Sequence, residues 1–262
     1  MPKIGVIAGS GIERLQSLRL LEEKPIKTPY GEPSGHYKIC EVSGIQLAFL
    51  ARHGIPHRIP PHKINYRANL WGFKSLGVQR LISVSAGGGI NPSLRPGDIV
   101  LLSQVIDMTQ GTRQSTFYDE EEVVHVDFTE PYCLELRTSV LEAGKKAGIP
   151  LIEKGTYICV NGPRLETAGE IRFFSSIGAD VVGMTGMPEA CLARELELCL
   201  SSITVITNYA AGISRKKLTA VDVIEKMKES NEKINALLSE TFHLIPKGRG
   251  CSCKDALKDA RV

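Results

Sequence analysis

The chain has 262 residues, 42% of them hydrophobic and 23% charged, enough to bury a large core within one α/β domain. A net charge of +3 with acids and bases interspersed argues against a nucleic-acid groove or a polybasic membrane anchor, and no basic stripe with interleaved aromatics appears. The first apolar run, in MPKIGVIAGSG, is too short for a signal h-region or a bilayer span, so a cytoplasmic protein is expected.

In chain order, KIGVIA (3–8) predicts a short apolar strand running into GSG. ICEVSGIQLAFL (39–50) predicts a hairpin about Ser43-Gly44, with LAFLA (47–51) as an apolar strand. NYRANLWGFKSLG (65–77) has apolar residues at helical spacing and a terminal glycine; CLELRTSVLEAGKKAG (133–148) repeats the pattern. RLISVSA (80–86) and SSITVIT (201–207) predict further strands, and helices fit 167–178, 187–198 and 220–242. This alternation predicts a single α/β domain over 1–245, a twisted mixed central β-sheet flanked by helices, with ligands at the carboxyl ends of strands. Residues 246–262, charged and glycine-containing, read as a tail.

Four strand ends carry groups that suit an anion. GSGI (9–12) offers backbone amides and the Ser10 hydroxyl, without the lysine of a P-loop. ARHGIPHRIPPH (51–62) offers the Arg52 fork and His53 as a further donor, or is simply a solvated loop stiffened by prolines. SVSAGGGI (83–90) offers Ser85 and glycine amides, or is a tight turn. In VVGMTGMPEACLARE (181–195) a short strand passes into a helix at Met184 and Thr185, where the hydroxyl either binds an anion or caps the helix. Glu166, in NGPRLETAGE (161–170), precedes another helix and either serves a ligand or complements the helix dipole. Asn208 ends the aliphatic run in TNYAAGIS (207–214), where it caps a turn or reads a ligand edge presenting one donor and one acceptor. Several anion-friendly strand ends in one α/β chain point to one oxyanion-rich ligand. No G-x-S-x-G elbow supports a serine hydrolase, and His57 and His62 have no ligand-spaced carboxylate or cysteine, so no metal is expected.

As a set, ARHG (51–54), NYRANLW (65–71), NGPRLET (161–167), VGMTGMPEACLARE (182–195) and TNYAAG (207–212) resemble the trimeric purine nucleoside phosphorylase and methylthioadenosine phosphorylase family, from residue 3 to about 245 and in the same order. The resemblance implies reversible phosphorolysis of a purine nucleoside to base and pentose 1-phosphate, with inorganic phosphate as co-substrate and no metal or organic cofactor. By motif match, Ser10, Arg52, His53, Ser85, Ala86 and Thr185 would hold phosphate; Met184, Asn208, Tyr209 and Ala210 would contact the nucleoside. His125, in HVDFTEPYC, matches a position that reaches a neighbouring subunit's site, which implies a homotrimer or a dimer of trimers. A hydrolytic nucleosidase would not need the phosphate residues to converge, and a non-catalytic purine binder would not require the full phosphate constellation.

The chain departs from the methylthioadenosine branch at Asn208, where that branch has aspartate in TDYD. An asparagine can donate to O6 and accept from a protonated N7, whereas a carboxylate facing O6 opposes two acceptors. Glu166 agrees, because 6-oxopurines present N1–H, and guanine its 2-amino group. Inosine and guanosine are therefore the expected substrates, with methylthioinosine the alternative: SRKKLTAVDV (214–223) has no histidine for a 5′-hydroxyl, and Leu218, Ala220 and Val221 offer an apolar 5′ surface or merely begin a helix. Cys40, Cys133, Cys159, Cys191 and Cys199 lack metal spacing and read as core thiols; Cys251 and Cys253 would be free thiols or a small strained bridge.

Overall fold

The computed structural model describes residues 3–9, 18–109, 111, 113–120, 122–214 and 218–262. Among them, ten strands form one mixed sheet: β1 (Ile4–Ala8), β2 (Arg19–Lys24), β3 (Tyr37–Val42), β4 (Ile45–Ala51), β5 (Arg80–Gly89), β6 (Ile99–Leu101), β7 (Gln104–Met108), β8 (Thr156–Val160), β9 (Val181–Gly183) and β10 (Cys199–Tyr209). Five helices flank it: α1 (Tyr66–Ser75), α2 (Leu134–Lys146), α3 (Ala168–Ser176), α4 (Gly186–Glu195) and α5 (Ala220–Leu244).

Each predicted helix is present, for local reasons. Asn65 and Thr219 cap α1 and α5 by accepting from Ala68 N and Asp222 N, and Thr167 and Glu170 form a reciprocal capping box on α3. The hairpin turns at Ser43-Gly44, both at positive φ (48° and 79°), and joins Val42 to Ile45 in antiparallel register. Four strands escape the sequence pattern. β2, RLLEEK, is exposed along nearly its whole length because it is an edge strand paired only with β3, and its charges keep that edge from pairing further. β6, β7 and β8 are short runs whose pattern does not separate strand from loop.

β1, β5 and β10 form the centre of the sheet. α2 and α5 pack on one face with Val140, Leu237 and Phe242, and α1 and α4 on the other with Leu70, Phe73 and Leu192, all fully or almost fully buried. No helix among the described residues is long and apolar enough to cross a membrane.

Beyond its first five residues, β5 changes neighbours. On one edge β1 pairs only as far as Ala8↔Val84, and β9 joins antiparallel at Gly88↔Val182. β10 continues along the other edge to Tyr209↔Gly89. Among the described residues, Ser85–Gly87 therefore face a gap between two strand ends, and the candidate site is built there.

Residues 246–262 lie against the domain. The Gly250 amide donates to Glu135 Oε2 (2.7 Å), Arg80 bridges Glu135 and the Gly248 carbonyl, and the His125 amide donates to the Ala260 carbonyl (2.8 Å). Charge and glycine content suggest a tail only until these docking contacts are seen.

Candidate active site

Arg52, the residue after β4, is completely buried, and its donors are almost fully committed. Nε and Nη2 grip both Glu189 oxygens, Nη2 also meets Ser83 Oγ (2.7 Å), and Nη1 donates to the Val84 carbonyl (3.1 Å). Burial opposes the charge, but the Glu189 carboxylate more than offsets this and holds the guanidinium pKa above its ordinary value. The fork is thus aimed by a carboxylate, and Nη1 remains beside Gly9. A Cβ on Gly9 would lie 3.0 Å from Nη1 and 3.8 Å from His53 Nε2, so glycine there leaves open the space between these two nitrogens.

His53 refines the sequence expectation. Its Nδ1 lies 2.8 Å from the Ile59 carbonyl, which can only accept, so Nδ1 carries the proton. Burial, then the neighbouring Arg52, pushes its pKa down to about 3. In the neutral ring Nε2 is an acceptor, not the donor expected from residue type; the ring stacks on His57 at 4.2 Å.

Ser85 and Ala86 sit at the gap in the sheet. Gly9 N donates to Val84 O and Ile90 N donates to Asp180 O, on the same edge of β5. Strand alternation then directs the Ala86 amide to that edge, where neither β1 nor β9 is in register with it. The glycines that follow are not a donor-rich turn, which corrects the sequence reading: they stay in the strand because a Cβ at Gly87 would come within 2.6 Å of Val181 Cγ1 and 2.7 Å of Thr204 Cγ2.

Thr185 precedes α4 but makes no side-chain cap bond, so the capping alternative is excluded, and it lies buried in the pocket wall. The glycines around it are set by Tyr157. A Cβ at Gly183 would fall 2.1 Å from Tyr157 Oη and one at Gly186 2.8 Å from Cε1, so GMTG wraps a buried ring whose hydroxyl accepts from Thr185 N (3.3 Å). Met184 packs on Gly162, where φ is +63° and a Cβ would touch its Sδ at 2.4 Å.

Asn208 has a fixed orientation. The atom 2.8 Å from the Tyr209 carbonyl must be the amide nitrogen, which leaves Oδ1 facing Thr207 Oγ1 at 2.9 Å. One N–H and one lone pair remain for a ligand. Glu166 is half-buried in the pocket wall, and desolvation raises its pKa, the state of a carboxylate that gains from a donor-bearing ligand.

Arg52, His53, Ser85, Ala86, Glu166, Met184, Thr185 and Asn208 line one pocket. Ser10 lies outside the described residues. Tyr209 and Leu218 line a neighbouring cavity, Ala210 is buried in a small apolar cluster, and Ala220 and Val221 face solvent. His125 is exposed away from this pocket. Val223, two residues beyond Val221, lines the pocket in their place, as does Leu165.

Sequence reasoning missed Glu189, Tyr157 and Arg113. Arg113 donates to the carbonyls of Met184 (2.7 Å), Met187 (2.6 Å) and Asn161 (2.9 Å), tying together the segments that carry Met184 and Glu166. Glu189 left one signal, an acid in the first turn of an otherwise apolar segment. Arg113 left none.

A basic fork, a neutral histidine, a strand amide unpaired among the described residues, two hydroxyls, a carboxylate and an oriented amide line one space, an arrangement that can accommodate an oxyanion beside a polar planar ligand. The chain belongs to the phosphorylase superfamily, whose family model matches residues 3–243. It is 53% identical over 258 residues to a probable S-methyl-5'-thioinosine phosphorylase of Thermodesulfovibrio yellowstonii, covering 98% of this chain and 97% of that one. It is 51% identical over 267 residues to the 6-oxopurine nucleoside phosphorylase of Pyrococcus furiosus, covering 99% of each. A methylthioadenosine phosphorylase crystal structure from an antarctic soil metagenomic library superposes with a TM-score of 0.92 at 34% identity, covering 100% of this chain and 92% of that one.

Proposed function

We propose that the protein catalyses the reversible phosphorolysis of 6-oxopurine nucleosides, inosine and guanosine, to free base and ribose 1-phosphate. The observation that carries this is the shared pocket, which Arg52, His53, Ser85, Ala86 and Thr185 line together with Glu166 and Asn208. Phosphate on the first set is held as the nucleophile against the anomeric carbon while its charge stabilises the cationic sugar of an oxocarbenium-like transition state. As the base departs, the Asn208 amide donates to O6 and accepts from protonated N7. Glu166 accepts from N1–H and, for guanine, from the 2-amino group. The chemistry needs no covalent nucleophile, and phosphate is the only co-reactant proposed.

Methylthioinosine is the second reading, favoured by the apolar Leu165 and Val223 in the wall and by the name of the Thermodesulfovibrio relative. The working form proposed is a cytoplasmic homotrimer or dimer of trimers, with exposed His125 offered to a neighbouring subunit.

The deciding experiment measures kcat/KM for inosine, guanosine, adenosine, methylthioinosine and methylthioadenosine, with and without phosphate. Phosphate-dependent cleavage confined to the 6-oxo substrates supports the reading, and the inosine to methylthioinosine ratio selects the branch. Phosphate-independent cleavage would show a hydrolase instead, and a preference for methylthioadenosine would refute the roles of Asn208 and Glu166.

A further inference from the structure

At the opposite end of β10 from Asn208, four cysteines distant in sequence converge. Cys199 is the first residue of β10, Cys133 immediately precedes α2, and Cys251 and Cys253 flank Ser252 at a short 3-10 helix, Ser252–Asp255. Their four sulfurs all lie within 4.8 Å of one another, and three of the residues are buried. Cys199 and Cys251 sulfurs are 3.3 Å apart, well beyond the ~2.05 Å of a disulfide. Four thiolates bound tetrahedrally at ~2.3 Å from one ion stand about 3.8 Å apart, so small side-chain adjustments close such a site.

We infer that Cys133, Cys199, Cys251 and Cys253 form a tetrathiolate site for a zinc-class divalent cation, which fastens the C-terminal segment to the base of the central sheet. Sulfur-only donors in a tetrahedral array select such a cation over magnesium or calcium. Binding displaces the four thiol protons and leaves a complex of net charge −2; the Arg194 guanidinium, 3.8 Å from Cys253 Sγ, partly offsets it. The backbone under two ligands is anchored before any ion binds, since Cys133 N donates to Leu200 O (2.8 Å) and Cys199 N to Gln79 O (2.9 Å). The Cys-x-Cys spacing is tighter than in most zinc sites. It is workable because Cys251 is extended while Cys253 has entered the helix, so both sulfurs reach one cluster. Nine residue-to-residue steps of strand, roughly 30 Å, separate Cys199 from Asn208, which makes the ion structural and not catalytic.

The test uses the full-length protein purified without chelator or reductant. Elemental analysis is expected to find one zinc per chain. Cobalt exchanged into the site should give thiolate-to-cobalt charge-transfer absorption, and all seven cysteines should react as thiols after denaturation in chelator. Cys253→Ser should weaken metal binding at least about 100-fold, and chelation should lower Tm while kcat/KM of the folded enzyme stays within about twofold. Should the variant fail to fold, the wild-type cobalt spectrum still decides. Only three reactive thiols would mean two disulfides occupy the cluster. That count, or a reduced protein that takes up neither zinc nor cobalt, overturns the inference.

Discussion

Asn208, the proposed base contact, is oriented by the backbone carbonyl of the next residue. Because the Tyr209 carbonyl accepts its N–H, the face left for a base has fixed polarity. Asn208→Asp would set a carboxylate against that carbonyl and against O6. It should move the inosine to adenosine ratio of kcat/KM by about 100-fold toward adenosine, a change of roughly 2.7 kcal/mol; an unchanged ratio would place the base elsewhere. Glu166→Gln tests the other edge. Glutamine keeps one acceptor for N1–H but turns its NH₂ toward guanine's 2-amino group, so guanosine should lose about tenfold more kcat/KM than inosine. In that proposed role the same carboxyl should set a pH limb. Its pKa is raised, so the accepting anion is lost as pH falls through a value above the ordinary glutamate range. The acid limb for inosine should begin there and be absent in Glu166→Gln.

His53 carries a further consequence at this scale. With Nδ1–H bound to Ile59 and a pKa near 3, the ring would meet the proposed anion with a lone pair. Hydrogen phosphate brings its own proton to that nitrogen, whereas sulfate has none to offer. Sulfate should therefore inhibit with at least about tenfold weaker affinity than phosphate at pH 8. The difference should narrow as acid charges the ring, and equal affinities at pH 8 would show that Nε2 donates.

At the scale of elements, α5 separates two valines that sequence alone does not. Val221 is exposed, while Val223 reaches the pocket, because successive helical residues advance about 100° around the axis. Val223→Ala should lower kcat/KM for methylthioinosine about tenfold and leave inosine nearly unchanged, with Val221→Ala silent for both. Equal effects at the two positions would remove α5 from the sugar's 5′ end. The helices and central strands were legible because cap residues and apolar periodicity mark them. β2 was not, since an edge strand needs no apolar face, and the turn reading of Gly87–Gly89 failed because the need for glycine at Gly87 came from Val181 and Thr204, which are far off in sequence.

At the scale of the molecule, the residues proposed to hold the anion stand out in the sequence as types at strand ends, but their aim does not. Arg52 is directed by Glu189, 137 positions away, and Arg113 binds carbonyls from two segments, relations that only folding creates. The cysteines follow the same logic, since spacing that looks random along the chain becomes one cluster when β10, α2 and the C-terminal segment meet.

The interruption beside Ser85–Gly87 gives the ligand a structural part to play. A sheet normally satisfies each strand amide with the next strand, yet here the edge position opposite Ala86 falls between the end of β1 and the start of β9. On the proposed reading, an oxyanion seated there would take the place of a neighbouring strand and complete the ladder. Amide hydrogen exchange at Ala86 should slow on adding phosphate, while Leu81 and Ile82, already paired on both edges, should not change. Identical exchange at Ala86 with and without phosphate would mean that the anion binds without joining the sheet.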